Sequence, residues 1–221
     1  MLSTKVGYGI DGVPDWTGGC ITAGIDRALS IMRTDYLDIV HLHSCGRAEL
    51  EREEVTEALA RAKAAGKVRA MAYSGDNEAL DYAIASGRFD GIECSLNICD
   101  QRVLAGSLAA ASTRKMGVIV KRPLANAPWR YVVRPVGAYV EQYWLRLRAM
   151  ALDPRPLGWP EFALRFAAFQ PGVTSCIVGS TQVGRSEENL VALRAGPLPP
   201  AQQSAIKQAF AACDQGWAGL T

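Results

Sequence analysis

The sequence has few of the residues that build metal centres or disulfide frameworks. It contains only two histidines in 221 residues, and none of its six cysteines belongs to a CxxC pair. Zinc sites draw their ligands from closely spaced cysteines and histidines, so we expect no metal site. Unpaired cysteines are typical of free thiols in a reducing cytosol, which predicts a cytoplasmic location.

Long apolar runs and an excess of one charge are also missing. No apolar run reaches the roughly 20 residues that a membrane-spanning helix needs, and the residues after Met1 lack the apolar stretch of a signal peptide. The net charge is only +2, so no strong field favours nucleic acid or a membrane surface. We expect neither as a partner.

The composition itself is that of a soluble globular protein. Hydrophobic residues make up 49% and charged residues 21% of the chain, which is ordinary for such proteins. A chain of 221 residues is long enough to bury a complete core. We expect one domain over residues 1–221.

Apolar runs alternate with helically spaced segments along the chain. This alternation predicts a parallel sheet with right-handed crossovers, and both an open doubly wound sheet and a barrel satisfy it. No GxGxxG motif follows the first strand, which weakens the dinucleotide-binding doubly wound fold. The predicted strands are 2–6, 37–42, 68–73, 91–95, 118–121 and 175–178, and the predicted helices are 20–32, 51–65, 77–86, 101–115, 160–169, 185–194 and 200–213.

One long segment, residues 125–159, breaks the alternation. It holds four prolines and several aromatic residues, with a helix expected near 138–150. Long irregular loops in compact domains are usually functional. We expect this loop to shape a substrate pocket, with Trp129, Tyr131 and Tyr143 as candidate walls.

Polar residues collect at the predicted carboxyl ends of the strands, the face that carries active sites in α/β barrels. His41 and His43 are two apart on one strand and therefore share a face, with His43 nearer the strand end. We interpret His43 as a proton donor or a hydrogen-bonding group for a substrate oxygen. The other residues at strand ends are Lys5, Ser74 with Asp76, Glu93 and Asn97, Lys121 and Arg122, and Ser180 and Thr181.

A second chemical signal is the segment 179–189 between a predicted strand and a helix. Ser180 and Thr181 offer hydroxyl and backbone N–H groups, and a helix N-terminus favours an anion. Arg185 adds a planar guanidinium suited to phosphate. The alternative is a helix cap followed by a surface arginine.

Several blocks resemble the aldo-keto reductase family, in the family's order. Residues 3–6 resemble its third strand with the active-site lysine, and 35–43 resemble its fourth strand with the active-site histidine. Residues 66–70 with Ser74 resemble the fifth strand and the serine that binds the nicotinamide carboxamide. Residues 179–189 resemble the clamp for the adenosine phosphate, and 121–126 resemble a bacterial subgroup.

The resemblance implies a fold, an activity and a set of site residues. The fold class is α/β, of the (β/α)8 TIM-barrel type, here an incomplete barrel of about six parallel strands with outer helices and a C-terminal helix. The activity is NADPH-dependent reduction of aldehydes or ketones without a metal. Lys5 and His43 are the catalytic candidates, and the cofactor-binding candidates are Ser74, Glu93, Lys121, Pro123, Leu124, Gly179, Ser180, Thr181, Arg185, Glu188 and Asn189.

The sequence also departs from the family pattern. The family's proton-donating tyrosine and its aspartate precede the lysine strand, where this sequence begins, so we expect a truncated form with weak catalysis or none. Tyr8 and Asp11 follow Lys5 and lie on a different loop. Gly75 replaces an asparagine, Glu93 a common glutamine, Lys121 an aromatic residue, and Gly179 a phosphate-binding lysine of some members.

Two other functions remain open at this level. One is a non-catalytic protein that binds NADP or another protein, with self-association through open sheet edges near 2–6 and 175–178. The other is a barrel enzyme for phosphate-bearing substrates, an aldolase or isomerase, in which Lys121 forms a Schiff base.

Overall fold

A computed structural model describes residues 1–220 of the chain. The contacts divide them into two compact units. Unit 1 comprises residues 1–94 and 109–118, and unit 2 comprises 95–108 and 119–220.

Unit 1 is built on four parallel strands that pair in chain order. Ser3 lies opposite Ile39, Leu37 opposite Val68, and Ala72 opposite Gly91. Side chains of the middle strands are buried on both faces, as expected for a parallel sheet covered by helices. The elements are β1 (Ser3–Val6), α1 (Gly18–Met32), β2 (Leu37–His43), α2 (Arg47–Glu51), α3 (Glu53–Ala64), β3 (Val68–Ser74), α4 (Asn77–Ser86) and β4 (Gly91–Ser95, whose last residue falls in unit 2).

Local sequence signals explain where the first long helix begins and ends. The Thr17 hydroxyl accepts a hydrogen bond from the backbone N–H of Cys20, so it caps α1. Ile21 and Ile25 are four residues apart and bury one face of the helix. Arg33 adopts the left-handed conformation and ends it.

Unit 2 has its own hydrophobic core around a buried Tyr143 and Phe166. Ile119 lies opposite Ser175 in a parallel pair of strands. The elements that follow β4 are α5 (Ser107–Thr113), β5 (Gly117–Lys121), α6 (Glu141–Met150), α7 (Trp159–Ala168), β6 (Ser175–Cys176), α8 (Arg185–Arg194) and α9 (Pro200–Cys213), with short 3-10 helices at Arg102–Ala105 and Pro128–Arg130; part of α5 and the start of β5 fall in unit 1.

The prediction of about six parallel strands with outer helices and a C-terminal helix is confirmed. Three boundaries were wrong. The single helix predicted over 101–115 is a 3-10 helix and a separate α5, because Gly106 leaves the helical conformation between them, with φ 167° and ψ −37°. The helix predicted from residue 51 begins only at Glu53, after Arg52 interrupts it, and β6 is two residues long.

No helix within residues 1–220 is both long and apolar enough to cross a membrane. The single domain predicted over 1–221 stays a prediction.

Candidate active site

An ion pair between the first and fourth strands of unit 1 centres the site. Lys5 Nζ lies 2.9 Å from the Glu93 carboxylate. The Glu93 side chain is only 3% exposed, whereas that of Lys5 is 28% exposed. The pair joins β1 to β4 past the two strands that separate them, so the sheet must curve and bring these side chains together on its concave face.

Ser74 belongs to the same cluster. Its hydroxyl donates to Glu93 Oε1 at 3.1 Å, and it lies opposite both Glu93 and His43 in the strand register. The buried carboxylate therefore accepts hydrogen bonds from an ammonium and a hydroxyl, which compensates for its loss of solvent.

His41 lies at the base of this cluster, opposite Lys5. Its Nε2 is 3.0 Å from the Ser3 hydroxyl and 3.9 Å from Glu93 Oε2. Burial lowers the pKa of His41 to about 4, opposed by the Glu93 charge and assisted by Lys5 and His43. His41 is therefore neutral near pH 7, and only His43 of the two histidines is partly exposed to solvent.

His43 contacts a residue that the sequence analysis set aside. Its Nδ1 lies 2.7 Å from the Tyr8 hydroxyl, and the two rings stack with centroids 5.2 Å apart. Tyr8 lies on the loop between β1 and α1. Lys5, Ser74, Glu93, His43 and Tyr8 are thus the polar groups that unit 1 gathers at the ends of its strands.

Gly75, where the family resemblance implies an asparagine, follows Ser74 into a tightly packed turn. The Tyr73 side chain folds beneath it and donates its hydroxyl to the carbonyl of Cys45 at 2.7 Å. A Cβ atom at Gly75 would lie 2.1 Å from that hydroxyl. The tyrosine ring therefore occupies the space that a side chain at residue 75 would need.

Unit 2 contains a cavity of about 660 Å³ that most of the predicted cofactor residues line. Its other walls include Trp129 and Arg130, and the Trp129 ring stacks on Trp159 with centroids 5.6 Å apart. The predicted residues in the lining are Leu124, Gly179, Ser180, Thr181, Arg185 and Asn189.

Hydrogen bonds within the segment 179–189 are all short-range in sequence. Arg185 Nε donates to Gln182 at 2.8 Å, and its Nη1 donates to Glu188 at 2.6 Å. The Ser180 hydroxyl accepts from the backbone N–H of Gln182 at 3.0 Å. Glu188 thus binds Arg185 directly, although it does not line the cavity.

The features of this cavity suit a nucleotide. The N-terminus of α8 has no side-chain cap, so its first backbone N–H groups remain available to an anion. Arg130 and Arg185 add two cations, and a Cβ atom on Gly179 would meet nothing within 4 Å. These residues fit a phosphorylated cofactor, with the partly buried indole of Trp129 offering a flat apolar surface.

The turn after β5 explains the placement of the remaining predicted residues. Arg122 and three residues from Ala125 to Ala127 have positive φ angles, so the chain turns sharply after Lys121. Leu124 reaches the cavity, whereas Lys121 and Pro123 are buried and do not line it.

The three aromatic residues expected to form a pocket wall lie in different environments, and Tyr131 is exposed and does not line the cavity. Trp129 lines the cavity, but Tyr143 lies in the hydrophobic core, where burial raises its pKa to about 12. Trp129 and Arg130 come shortly after the residues with left-handed backbone conformation, and the change in chain direction there brings them to the cavity.

Comparison with known proteins agrees with this fold. The model of the Aldo/keto reductase family matches residues 1–211. An uncharacterised oxidoreductase of Bacillus subtilis strain 168, YqkF, is 24% identical over 94% of this chain and 72% of its own length.

Solved structures give the same result. The aldo-keto reductase AKR11C1 from Bacillus halodurans superimposes with a TM-score of 0.77 in its holo form, at 22% identity over 95% of this chain and 71% of that chain. Its apo form gives 0.74, at 22% identity over 94% and 70%. The six strands and their helices therefore correspond to part of a (β/α)8 barrel, and the chain belongs to the aldo/keto reductase family of oxidoreductases.

Proposed function

We propose that this chain reduces aldehydes or ketones to alcohols with NADPH. The observation that carries the proposal is the cluster at the strand ends of unit 1. There Lys5 Nζ lies 2.9 Å from the buried Glu93 carboxylate, and His43 is the last residue of the adjacent strand β2. An ammonium and an imidazole held in this way stabilise the negative charge that develops on a carbonyl oxygen.

Each side chain of the cluster has a distinct part in the proposal. Lys5 supplies the positive charge, and His43 holds a proton at the strand end. Glu93 orients Lys5, while Ser74 orients Glu93 and, as the family resemblance implies, the nicotinamide carboxamide. NADPH, when bound, supplies the hydride that the carbonyl carbon receives.

The nucleotide end of the cofactor is assigned to the cavity of unit 2. Two arginines, the uncapped N-terminus of α8 and the hydroxyls of Ser180 and Thr181 support this assignment. Leu124, Gly179 and Asn189 complete the lining, and Glu188 restrains Arg185. Contacts of Lys121 and Pro123 with the cofactor remain predictions of the family resemblance.

The remaining expectations belong to this proposal. A cytoplasmic location is supported by the six cysteines, which are all free thiols in the described structure. Self-association through sheet edges stays a prediction, which size-exclusion chromatography tests. Weak or absent turnover also stays a prediction.

Two measurements on the purified chain test the proposal. Fluorescence titration with NADPH measures binding, and carbonyl-dependent oxidation of NADPH at 340 nm measures turnover across a panel of aldehydes and ketones. We expect Lys5→Met to lower kcat by about 10²-fold, the usual effect of losing one group that stabilises an oxyanion.

The matched control for this variant is Lys67→Met. Lys67 forms a 2.6 Å ion pair with Asp26 on the surface of the same unit and should leave kcat unchanged. NADPH binding without turnover on any carbonyl would favour the non-catalytic alternative. Borohydride trapping of a carbonyl substrate on Lys121 would favour the aldolase alternative.

A further inference from the structure

The loop between β1 and α1 places a tyrosine on the candidate catalytic histidine. The Tyr8 hydroxyl lies 2.7 Å from His43 Nδ1, and the ring planes differ by 23°. These two residues are 35 positions apart in the sequence. The contact is therefore a product of the fold and not of neighbouring positions in the chain.

The loop is built in a way that fixes the tyrosine. Gly7 has a φ of +143°, and a Cβ atom there would lie 2.2 Å from the Trp16 ring. The backbone N–H of Trp16 donates to the Gly7 carbonyl at 2.7 Å, which closes the loop at its base. The Trp16 ring then lies 5.9 Å from that of Tyr8, centroid to centroid.

The surroundings of the pair suit proton transfer. Lys5 lies opposite His41 in the strand register, and His43 lies two residues further along the same strand on the same face, so the ammonium and the imidazole lie in the same small region. Tyr8 is 48% exposed, which leaves its hydroxyl accessible to a substrate. Tyr73, in the same unit, is buried with its hydroxyl donated to a backbone carbonyl, and it cannot serve in this way.

We propose that Tyr8 is the general acid of this chain, with His43 as its proton reserve. The inference rests on the proposed function. As the carbonyl carbon receives hydride, the Tyr8 O–H bond breaks and its proton forms the new O–H bond of the alcohol. The carbonyl is reduced and NADPH is oxidised to NADP⁺. The phenolate then takes the Nδ1 proton of the His43 imidazolium, and the neutral imidazole that remains is reprotonated by a hydronium ion from the solvent, which supplies the one proton that the reaction consumes.

The first test is the Tyr8→Phe variant, which keeps the ring stack and removes only the hydroxyl. We expect kcat to fall by about 10²–10⁴-fold, the usual contribution of general acid catalysis, while the Kd for NADPH stays within twofold of the wild type. Tyr36→Phe is the matched control. Its ring packs beneath Arg69, away from His43, and kcat should be unchanged.

A second test follows the histidine in the protein without cofactor. With only two histidines in the chain, the imidazole ¹⁵N resonances can be assigned without ambiguity. We expect Tyr8→Phe to shift the Nδ1 resonance of His43 and to leave those of His41 unchanged. The double variant Tyr8→Phe/His43→Ala should lose no more activity than the worse single variant, because the two groups act as one unit.

The outcomes separate this inference from the proposed function. Wild-type turnover that Tyr8→Phe retains within threefold overturns the role of Tyr8 and leaves carbonyl reduction standing. An unshifted His43 Nδ1 resonance also overturns it, because the contact would then not exist in solution. Binding of NADPH without turnover overturns both the acid assignment and carbonyl reduction and leaves only cofactor binding, whereas absence of both binding and turnover removes cofactor binding as well.

Discussion

The strand-end cluster of unit 1 and the cavity segment 179–189 of unit 2 are held in opposite ways. In unit 1, Lys5 and Glu93 meet across 88 residues of sequence, and Glu93 is buried. In unit 2, the Arg185 side chain bonds to partners three residues away, and most of the segment is exposed. The fold itself fixes the first group, whereas local backbone geometry fixes the second.

This difference suits the two tasks that we assign to them. Groups that stabilise a developing charge must be positioned before the reaction, which a buried network achieves. A segment that binds a charged nucleotide must exchange its own ion pairs for those of the ligand, which an exposed loop can do. Substitutions should therefore cost stability in unit 1 and affinity in unit 2.

The largest expected effect comes from Glu93→Ala, which leaves Lys5 and Ser74 without their shared acceptor. Removing one partner of a buried ion pair costs about 3–5 kcal/mol, and the partial exposure of Lys5 places the loss near the lower end. Denaturation by guanidinium chloride measures it. Glu78→Ala, which breaks an exposed 2.8 Å pair with Arg47, should cost under about 1 kcal/mol. Equal losses for the two variants would contradict the comparison.

Acid pH should weaken the same cluster through His41. Its pKa is lowered to about 4 in the folded state from 6.5, so between these values the unfolded chain binds more protons. The stability contribution is present above pH 6.5 and is lost as the pH falls toward 4. The free energy of unfolding should decrease by up to about 1.4 kcal/mol per pH unit in this window.

The control for this pH dependence is His41→Gln, which removes the titrating group and leaves His43 in place. The variant should flatten the slope between pH 6.5 and 5, above the range where ordinary carboxylates titrate. An unchanged slope would mean that His41 is not desolvated in the folded protein.

A smaller loss of folding stability is expected when Gly75 is substituted. A methyl group there collides with the Tyr73 hydroxyl at 2.1 Å, and overpacking of this kind costs about 1–3 kcal/mol. Gly75→Ala should therefore lower the free energy of unfolding by that amount. Gly117→Ala is the control, because its new Cβ would have no neighbour within 4 Å. Similar values for both variants would argue against the packing explanation.

The sequence predicted most elements because their signals are local. The apolar run from Leu37 and the capped, periodic helix that ends at Met32 are recognisable within a few residues. The break at Gly106 was missed because apolar residues on both sides of it, at Leu104, Leu108 and Ala111, carry helical spacing.

The candidate site was predictable only in part, for the same reason. The segment 179–189 bonds within itself, so its pattern identifies it without the fold. The Lys5–Glu93 pair and the Tyr8–His43 contact depend on strand register and sheet curvature, which no local pattern records. Tyr8 was set aside because its position in the chain differs from that of the family's tyrosine, although the loop brings it to the histidine.

The smallest effect on stability is expected for substitution of Arg185, where a small change in the free energy of unfolding should accompany a large change in NADPH affinity. Both side chains of its ion pair with Glu188 are exposed. Arg185→Ala should therefore change the free energy of unfolding by less than about 0.5 kcal/mol. The same variant should weaken NADPH binding about tenfold or more, because a charge-assisted bond to phosphate contributes about 1.5–3 kcal/mol. Arg194→Ala, at the other end of α8, should change neither quantity appreciably. A stability loss for Arg185→Ala as large as that for Glu93→Ala would show that the exposed segment contributes to the stability of the fold. It would contradict the inference that unit 1 depends on its cluster for stability and that the segment 179–189 serves cofactor affinity.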